Sequence, residues 1–132
     1  MVQDGRHERE KRPHNVKYLH AFRVIRADGL KYLLKECGHF RTHDVILLDA
    51  YDGEGRVPPH MRSFRFVEAV KKSLAKRGSV ICNCWNDRSG TAAAIELEKF
   101  SEMLHRHVGR VKRLTVEGQE NNIVLVGEKR SH

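Results

Sequence analysis

No apolar stretch of this 132-residue chain approaches the roughly 18–20 residues that a bilayer crossing requires, so a membrane-spanning helix is not expected. The first twenty residues contain no hydrophobic core of the signal-peptide kind, and Asp4, Glu8 and Glu10 argue against a transit peptide. Cysteine is scarce and odd in number. Cys37, Cys82 and Cys84 have no disulfide-framework spacing, which points to a reducing, cytoplasmic setting. Glycine is missing early: only Gly5 precedes Gly29, and no strand comes before it. That excludes a glycine-rich strand–turn cradle for a cofactor in this stretch. Aromatics make up only 7% of the chain, and none forms a platform beside the basic clusters, so single-stranded nucleic acid is not an expected partner.

Basic charge is plentiful. The formal net charge is +8, which favours contact with something anionic or acidic. Between Met1 and Arg26 seven basic residues face three acids, so half of the excess sits in the first fifth of the chain. Residues 1–21 therefore read as a basic flexible leader and residues 22–132 as one α/β domain, since a second domain would have too little core. Lys71, Lys72, Lys76, Arg77, Arg106, Arg110, Lys112 and Arg113 read as solvated faces.

Beyond the leader the pattern alternates between the two periodicities. Phe22 to Ala27 is short, β-rich and followed by Asp28-Gly29, which predicts a strand and turn. Leu30, Leu33, Leu34 and Cys37 recur at helical spacing up to Gly38. Asp44-Val45-Ile46-Leu47-Leu48-Asp49 predicts a strand buried on both faces. Residues 50–62 hold two glycines and two prolines and form a loop. Ser63 caps a helix with Phe64, Val67, Val70 and Leu74 on its apolar face, ended by Gly78. Ser79 to Cys84 makes the next strand. Ala94, Leu97, Phe100, Met103, Leu104 and Val108 form one helical stripe, core-facing and stopped near Gly109. Val111 to Val116 and Asn122 to Glu128 close the chain as an antiparallel hairpin. The order implies a mainly parallel sheet with helices on both faces.

In such a sheet ligands bind beyond the carboxyl ends of the strands. Asp28-Gly29, Asp49 to Gly55 and Asn83 to Asn86 occupy those positions. Asp49 and Asp52 stand three apart in a glycine-containing loop, where a carboxylate could accept a proton from an amine nucleophile or hydrogen-bond a cofactor. The alternative is that Asp28 and Asp49 merely cap the turns after their strands. Trp85 serves either as core packing or as a pocket wall. Cys82 and Cys84 share a strand face, but no partner set stands at zinc spacing. His39 with His43 and His105 with His107 are isolated pairs, so no metal is expected.

Arg26-Ala27-Asp28-Gly29-Leu30-Lys31-Tyr32-Leu33, the stretch His43-Asp44-Val45-Ile46-Leu47-Leu48-Asp49-Ala50-Tyr51-Asp52, and Lys76-Arg77-Gly78-Ser79-Val80-Ile81 together resemble the spermidine synthase family over roughly residues 22–129. The resemblance implies the C-terminal part of a Rossmann-like, class I methyltransferase fold whose first two strands are missing. It implies that Asp28 and Gly29 contact the adenine side of decarboxylated S-adenosylmethionine, that Asp49 lines the same pocket, and that Asp52 is the catalytic proton acceptor for an amine acceptor substrate. The loop after Asp52 lacks the proline usual there and looks more like a divergent branch of the family. Methyl transfer from S-adenosylmethionine is the alternative within the same fold. A non-catalytic remnant that binds a protein or acidic partner is the third reading, and a homodimer is compatible with each. In the intact fold the sheet order is 3-2-1-4-5-7-6, so losing strands 1 and 2 leaves Val45–Leu48 as an apolar edge unless strand 3 slides in beside it.

Overall fold

The structure is a computed structural model that describes residues 24–36, 43–87 and 90–131. The leader, Phe22 and Arg23, Cys37 and Gly38 lie outside the described residues. The elements run α1 (Gly29–Glu36), β1 (His43–Leu48), a 3-10 turn (Pro59–Arg62), α2 (Phe64–Ser73), β2 (Leu74–Trp85), α3 (Ala92–His107), β3 (Gly109–Val116) and β4 (Gln119–Lys129).

The strands form one sheet in the order β1-β2-β4-β3. β1 and β2 pair in parallel. β4 pairs antiparallel with β2 and with β3. This is the 4-5-7-6 portion of the expected order, in an α/β chain with a partial Rossmann-like sheet. The β3–β4 hairpin turns through Glu117 and Gly118, as the spacing implied. The strand expected at residues 22–27 is not seen in its described part: Val24 to Ala27 have no strand geometry, and Val24 is 85% exposed. Among the described residues β1 is therefore the edge of the sheet.

One apolar cluster holds the fold together. Leu48, Val80, Cys82, Cys84, Ile123 and Leu125 from the sheet meet Leu30 and Leu33 of α1, Phe66, Val67 and Val70 of α2, and Leu97, Phe100 and Leu104 of α3. The three helices of the described residues thus share one face of the sheet. Among the described residues no helix covers the other face, and the expectation of a strand buried on both sides is corrected here. Val45 and Leu47 alternate with the buried Leu48 and are 55% and 66% exposed.

Local signals set most of the boundaries. The Ser63 hydroxyl accepts from the Phe66 amide and starts α2, and the Thr91 hydroxyl does the same for α3 from the Ala94 amide. α2 ends at Ser73, earlier than Gly78 suggested, because Leu74 is extended and fully buried as the first residue of β2. Gly78 sits instead where the β1–β2 register shifts, between the pairs His43–Leu74 and Val45–Ser79. A Cβ there would lie 3.0 Å from the carbonyl oxygens of Ala75 and Asp44, so the two strands approach too closely for a side chain. Lys129 Nζ donates to the carbonyls of Lys71 (2.6 Å) and Leu74 (2.7 Å) at the end of α2. Arg130 donates to those of His105 and Arg106 at the end of α3. The last turns of both helices are thereby satisfied by cations, the favourable sign for a helix C-terminus. Among the described residues no helix is long and apolar enough to cross a membrane.

Candidate functional site

The carboxyl ends of the one parallel pair, β1 and β2, bring polar groups together. β1 ends at Leu48 and releases Asp49. β2 carries Asn83 in the adjacent position of the parallel register, one residue past the Leu48–Cys82 pair. Asn83 Nδ2 donates to Asp49 Oδ1 at 3.2 Å. Tyr51, two residues on, returns to the same tip and donates its hydroxyl to the Asn83 carbonyl at 3.2 Å. Burial raises the Tyr51 phenol above its ordinary value, and the Asp49 charge adds to that shift. Tyr51 therefore stays protonated and acts as a donor. Asp49 and Asn83 lie on the face of the sheet opposite the helices, the face of Leu47 and Ile81.

Asp52 closes the loop that follows. Its Oδ1 accepts from the amides of Glu54 (2.8 Å) and Arg56 (3.0 Å), and its own amide donates to the Arg56 carbonyl at 2.7 Å. Arg56 also forms an ion pair with Glu54. The side chain thus has the geometry of an aspartate turn, with one carboxylate oxygen fixed by two backbone donors.

Asp28 is joined to the same loop from another side. Its Oδ1 accepts from the Lys31 amide at 3.0 Å and caps α1, while Oδ2 lies 2.7 Å from His60 Nε2. The Lys31 amide first, and His60 second, hold the Asp28 carboxyl below the ordinary carboxylate value. Both oxygens therefore have partners within the chain. A Cβ on Gly29 would stand 2.9 Å from Met61 Cε, so the open side of that glycine is taken by a methionine. An adenine approaching Asp28-Gly29 would displace the imidazole and shift Met61. The Asp49–Asn83 tip needs no such rearrangement, and it fits a ligand that offers hydrogen-bond donors.

Trp85, at the end of β2, is 45% exposed. It walls a small cavity of about 30 Å³ together with Arg56, Arg62 and Glu96, room for about one water. Arg62 fixes that cavity through its Nε, which donates to the Val57 carbonyl, and its Nη1, 2.8 Å from Glu96. Cys82 and Cys84 point into the core. Burial pushes the Cys84 thiol up to about 11 and the Cys82 thiol higher still, so both remain protonated and inert. Among the described residues no cluster of three or more His, Cys, Asp or Glu side chains has the arrangement of a metal site.

Of the four residues singled out from the sequence, Asp49 and Asp52 lie on the loop leaving β1, and Asp28 reaches that loop through His60. Gly29 packs beneath it. Tyr51 and Asn83 fell within the strand-end stretches flagged from the sequence but were given no role, and His60 was not singled out. Tyr51 could have been found by its place two residues after the strand-end acid. His60 carried no local signal, since its partner lies 32 residues away.

No family model matches the chain, and no curated protein matches it either. A search of solved structures finds a similarity to the crystal structure of human methyltransferase-like protein 13 in complex with SAH, with a TM-score of 0.65 and 24% identity. The match covers 83% of this chain and 49% of that one, so the chain spans about half the length of that structure. Strand order, the hairpin and this likeness together show that the chain shares part of the Rossmann-like α/β fold of that methyltransferase-like protein.

Proposed function

We propose that this chain contributes part of a transferase site that uses S-adenosylmethionine as a methyl donor. The observation that carries the reading is the Asp49–Asn83–Tyr51 cluster at the carboxyl ends of β1 and β2, in a fold shared with a protein whose structure holds SAH. S-adenosylmethionine supplies, when bound, a methyl group on a positively charged sulfur. The chain's own residues then have three tasks. Asp49 accepts a hydrogen bond from an N–H or O–H of the bound methyl donor and holds it at the strand ends. Tyr51 and Asn83 hold Asp49 in place. Asp52, fixed by the Glu54 and Arg56 amides, takes the proton that the acceptor nitrogen must shed as its new N–C bond forms, while the methyl–sulfur bond breaks and its electron pair stays on the sulfur of the departing SAH.

The fit to the donor is partial. The Asp49 tip suits a donor-bearing group, whereas Asp28 has both oxygens engaged. Aminopropyl transfer from decarboxylated S-adenosylmethionine is the second reading, supported by the Asp49-Ala50-Tyr51-Asp52 spacing and by the fixed Asp52 carboxylate. It requires the same proton acceptor and differs in the group transferred.

Titration of the purified chain with SAH and with methylthioadenosine, followed by amide NMR, tests the reading. SAH is expected to shift Asp49, Tyr51 and Asn83 with a Kd of about 1 mM, and Asp49→Ala is expected to abolish the shifts. No response at about 10 mM of either ligand would remove both transferase readings. Shifts with methylthioadenosine alone would favour the aminopropyl reading. Asp52→Asn keeps an oxygen for the turn and removes the base, so any transfer activity should fall about 100-fold or more with unchanged stability.

A further inference from the structure

β1 has a strand partner on one side only. β2 takes that side in parallel, and among the described residues no strand pairs with the other. Edge strands in soluble proteins are commonly blunted by lysine, proline or a covering element. Among the described residues Val45 to Leu48 has no such device: four successive aliphatics stand there, with Val45 and Leu47 more than half exposed on the open face. On the helix face, an apolar groove of about 290 Å³ runs along the same edge beneath α1, with Tyr32, Leu33, Ile46 and Met61 in its wall. The edge is thus apolar on both of its sides.

We propose that this edge is completed by the same edge of a second copy of the chain, β1 against β1, antiparallel about a two-fold axis at Ile46. The register follows from backbone geometry. Along a strand, the N–H and C=O of one residue point to the same side, and successive residues alternate. Two identical strands paired about a two-fold must therefore match residues of the same parity, so the axis passes through a residue and not between two. Of the registers this allows, the one that pairs all of residues 43–49 is centred on Ile46. It sets Val45 against Leu47 twice on the open face, and Ile46 against its own copy toward the groove. It also sets His43 against Asp49 at both ends of the seam, an acid against an imidazole, with Asp44 opposite Leu48 one pair further in. The sequence of β1 is in this respect complementary to itself reversed. Two four-stranded sheets become one of eight, and each Asp49 acquires His43 of the partner subunit beside it. The inference stands independently of the transferase reading, since it rests on the strand edge alone.

Sedimentation equilibrium of the full chain up to about 300 µM tests it, a range suited to a seam shorter than a standard interface. The expected mass is twice the 15.3 kDa of the chain. His43→Glu puts two carboxylates opposite each other, and Asp49→Lys puts a cation opposite His43. Each is expected to weaken the dimer about tenfold or more, and the double variant, with Glu against Lys, to restore it to within about threefold. Leu47→Lys, at an exposed position, is expected to abolish the dimer while leaving the circular dichroism spectrum unchanged. It serves as the second probe should a charge variant fail to fold. A monomer throughout this range overturns the proposal and leaves the edge to a strand from elsewhere in the polypeptide or from another protein. A dimer indifferent to Leu47→Lys, or single charge variants that the double variant does not restore, overturns the seam.

Discussion

Replacing Lys129 with methionine removes a charge while keeping most of the side-chain stem, and it tests how the two layers of the fold are tied together. Lys129 Nζ sits 2.6 Å from the Lys71 carbonyl and 2.7 Å from that of Leu74. Those carbonyls belong to the last turn of α2 and to the residue after it, and no later residue of that helix can satisfy them. A hydrogen bond to a charged group contributes roughly 1.5–3 kcal/mol net, and the favourable charge at a helix C-terminus adds roughly 0.3–1 kcal/mol. The two bonds share one ammonium, so the contributions do not add in full. A loss of about 2.5 kcal/mol is expected. With an unfolding entropy of about 2.1 cal/mol/K per residue, the 132 residues give about 0.28 kcal/mol/K, and the loss becomes a drop of about 9 °C in Tm. Thermal unfolding followed by circular dichroism measures it, with the exposed Lys112→Met as a control expected to stay within about 2 °C. A drop below about 3 °C for Lys129→Met would refute the claim that this side chain bridges β4 to the end of α2.

Two further outcomes are expected. The Asp28 carboxyl should titrate below the ordinary aspartate value in carbon-detected NMR, because the Lys31 amide and His60 both favour its charged form. His60→Ala should raise that midpoint without bringing it fully back, since the amide is the larger cause. With the folded value depressed, the stability Asp28 contributes is complete above the unfolded pKa and is lost as pH falls through the folded one. Ser73, at the end of α2, is 1% exposed, and among the described residues its hydroxyl has no hydrogen-bond partner. Ser73→Ala should therefore raise stability by about 1 kcal/mol in urea unfolding, because an unpaired buried hydroxyl costs roughly 1–3 kcal/mol. A loss of stability would mean that the hydroxyl is satisfied in solution.

Which parts of this were legible in the sequence follows from the range of the forces involved. β1, β2, the α3 stripe and the hairpin are written in local patterns of branched aliphatics, helical spacing and turn residues. The caps at Ser63 and Thr91 act over three residues, and Ser63 was readable for that reason. The length of β2 was not. Its first five residues, Leu74 to Gly78, read as the end of a helix and its stop, and only contact with β1 draws them into the sheet. One-sided burial of β1 was equally hidden, because Val-Ile-Leu-Leu reads the same whether one face or two are covered. At the site, the acids at strand ends were visible as positions but not as partnerships. Asp28 with His60, and Asp49 with Asn83, join residues more than thirty apart in sequence. Such pairs are set by the packing of the loop over the sheet, which no local pattern encodes.

The strand that joins the sheet is the last one along the described chain. β4 lies between β2 and β3, so a nascent polypeptide that has emerged only as far as Val116 carries three strands, two of which have nothing between them. Such an intermediate displays Val80, Cys82 and Cys84 on a ribbon that lacks its neighbour, and helices α2 and α3 have only half a floor to rest on. Acquisition of the native state is therefore deferred until the ribosome has released Lys129, and a nonsense codon in the final hairpin would divide the molecule instead of trimming its margin.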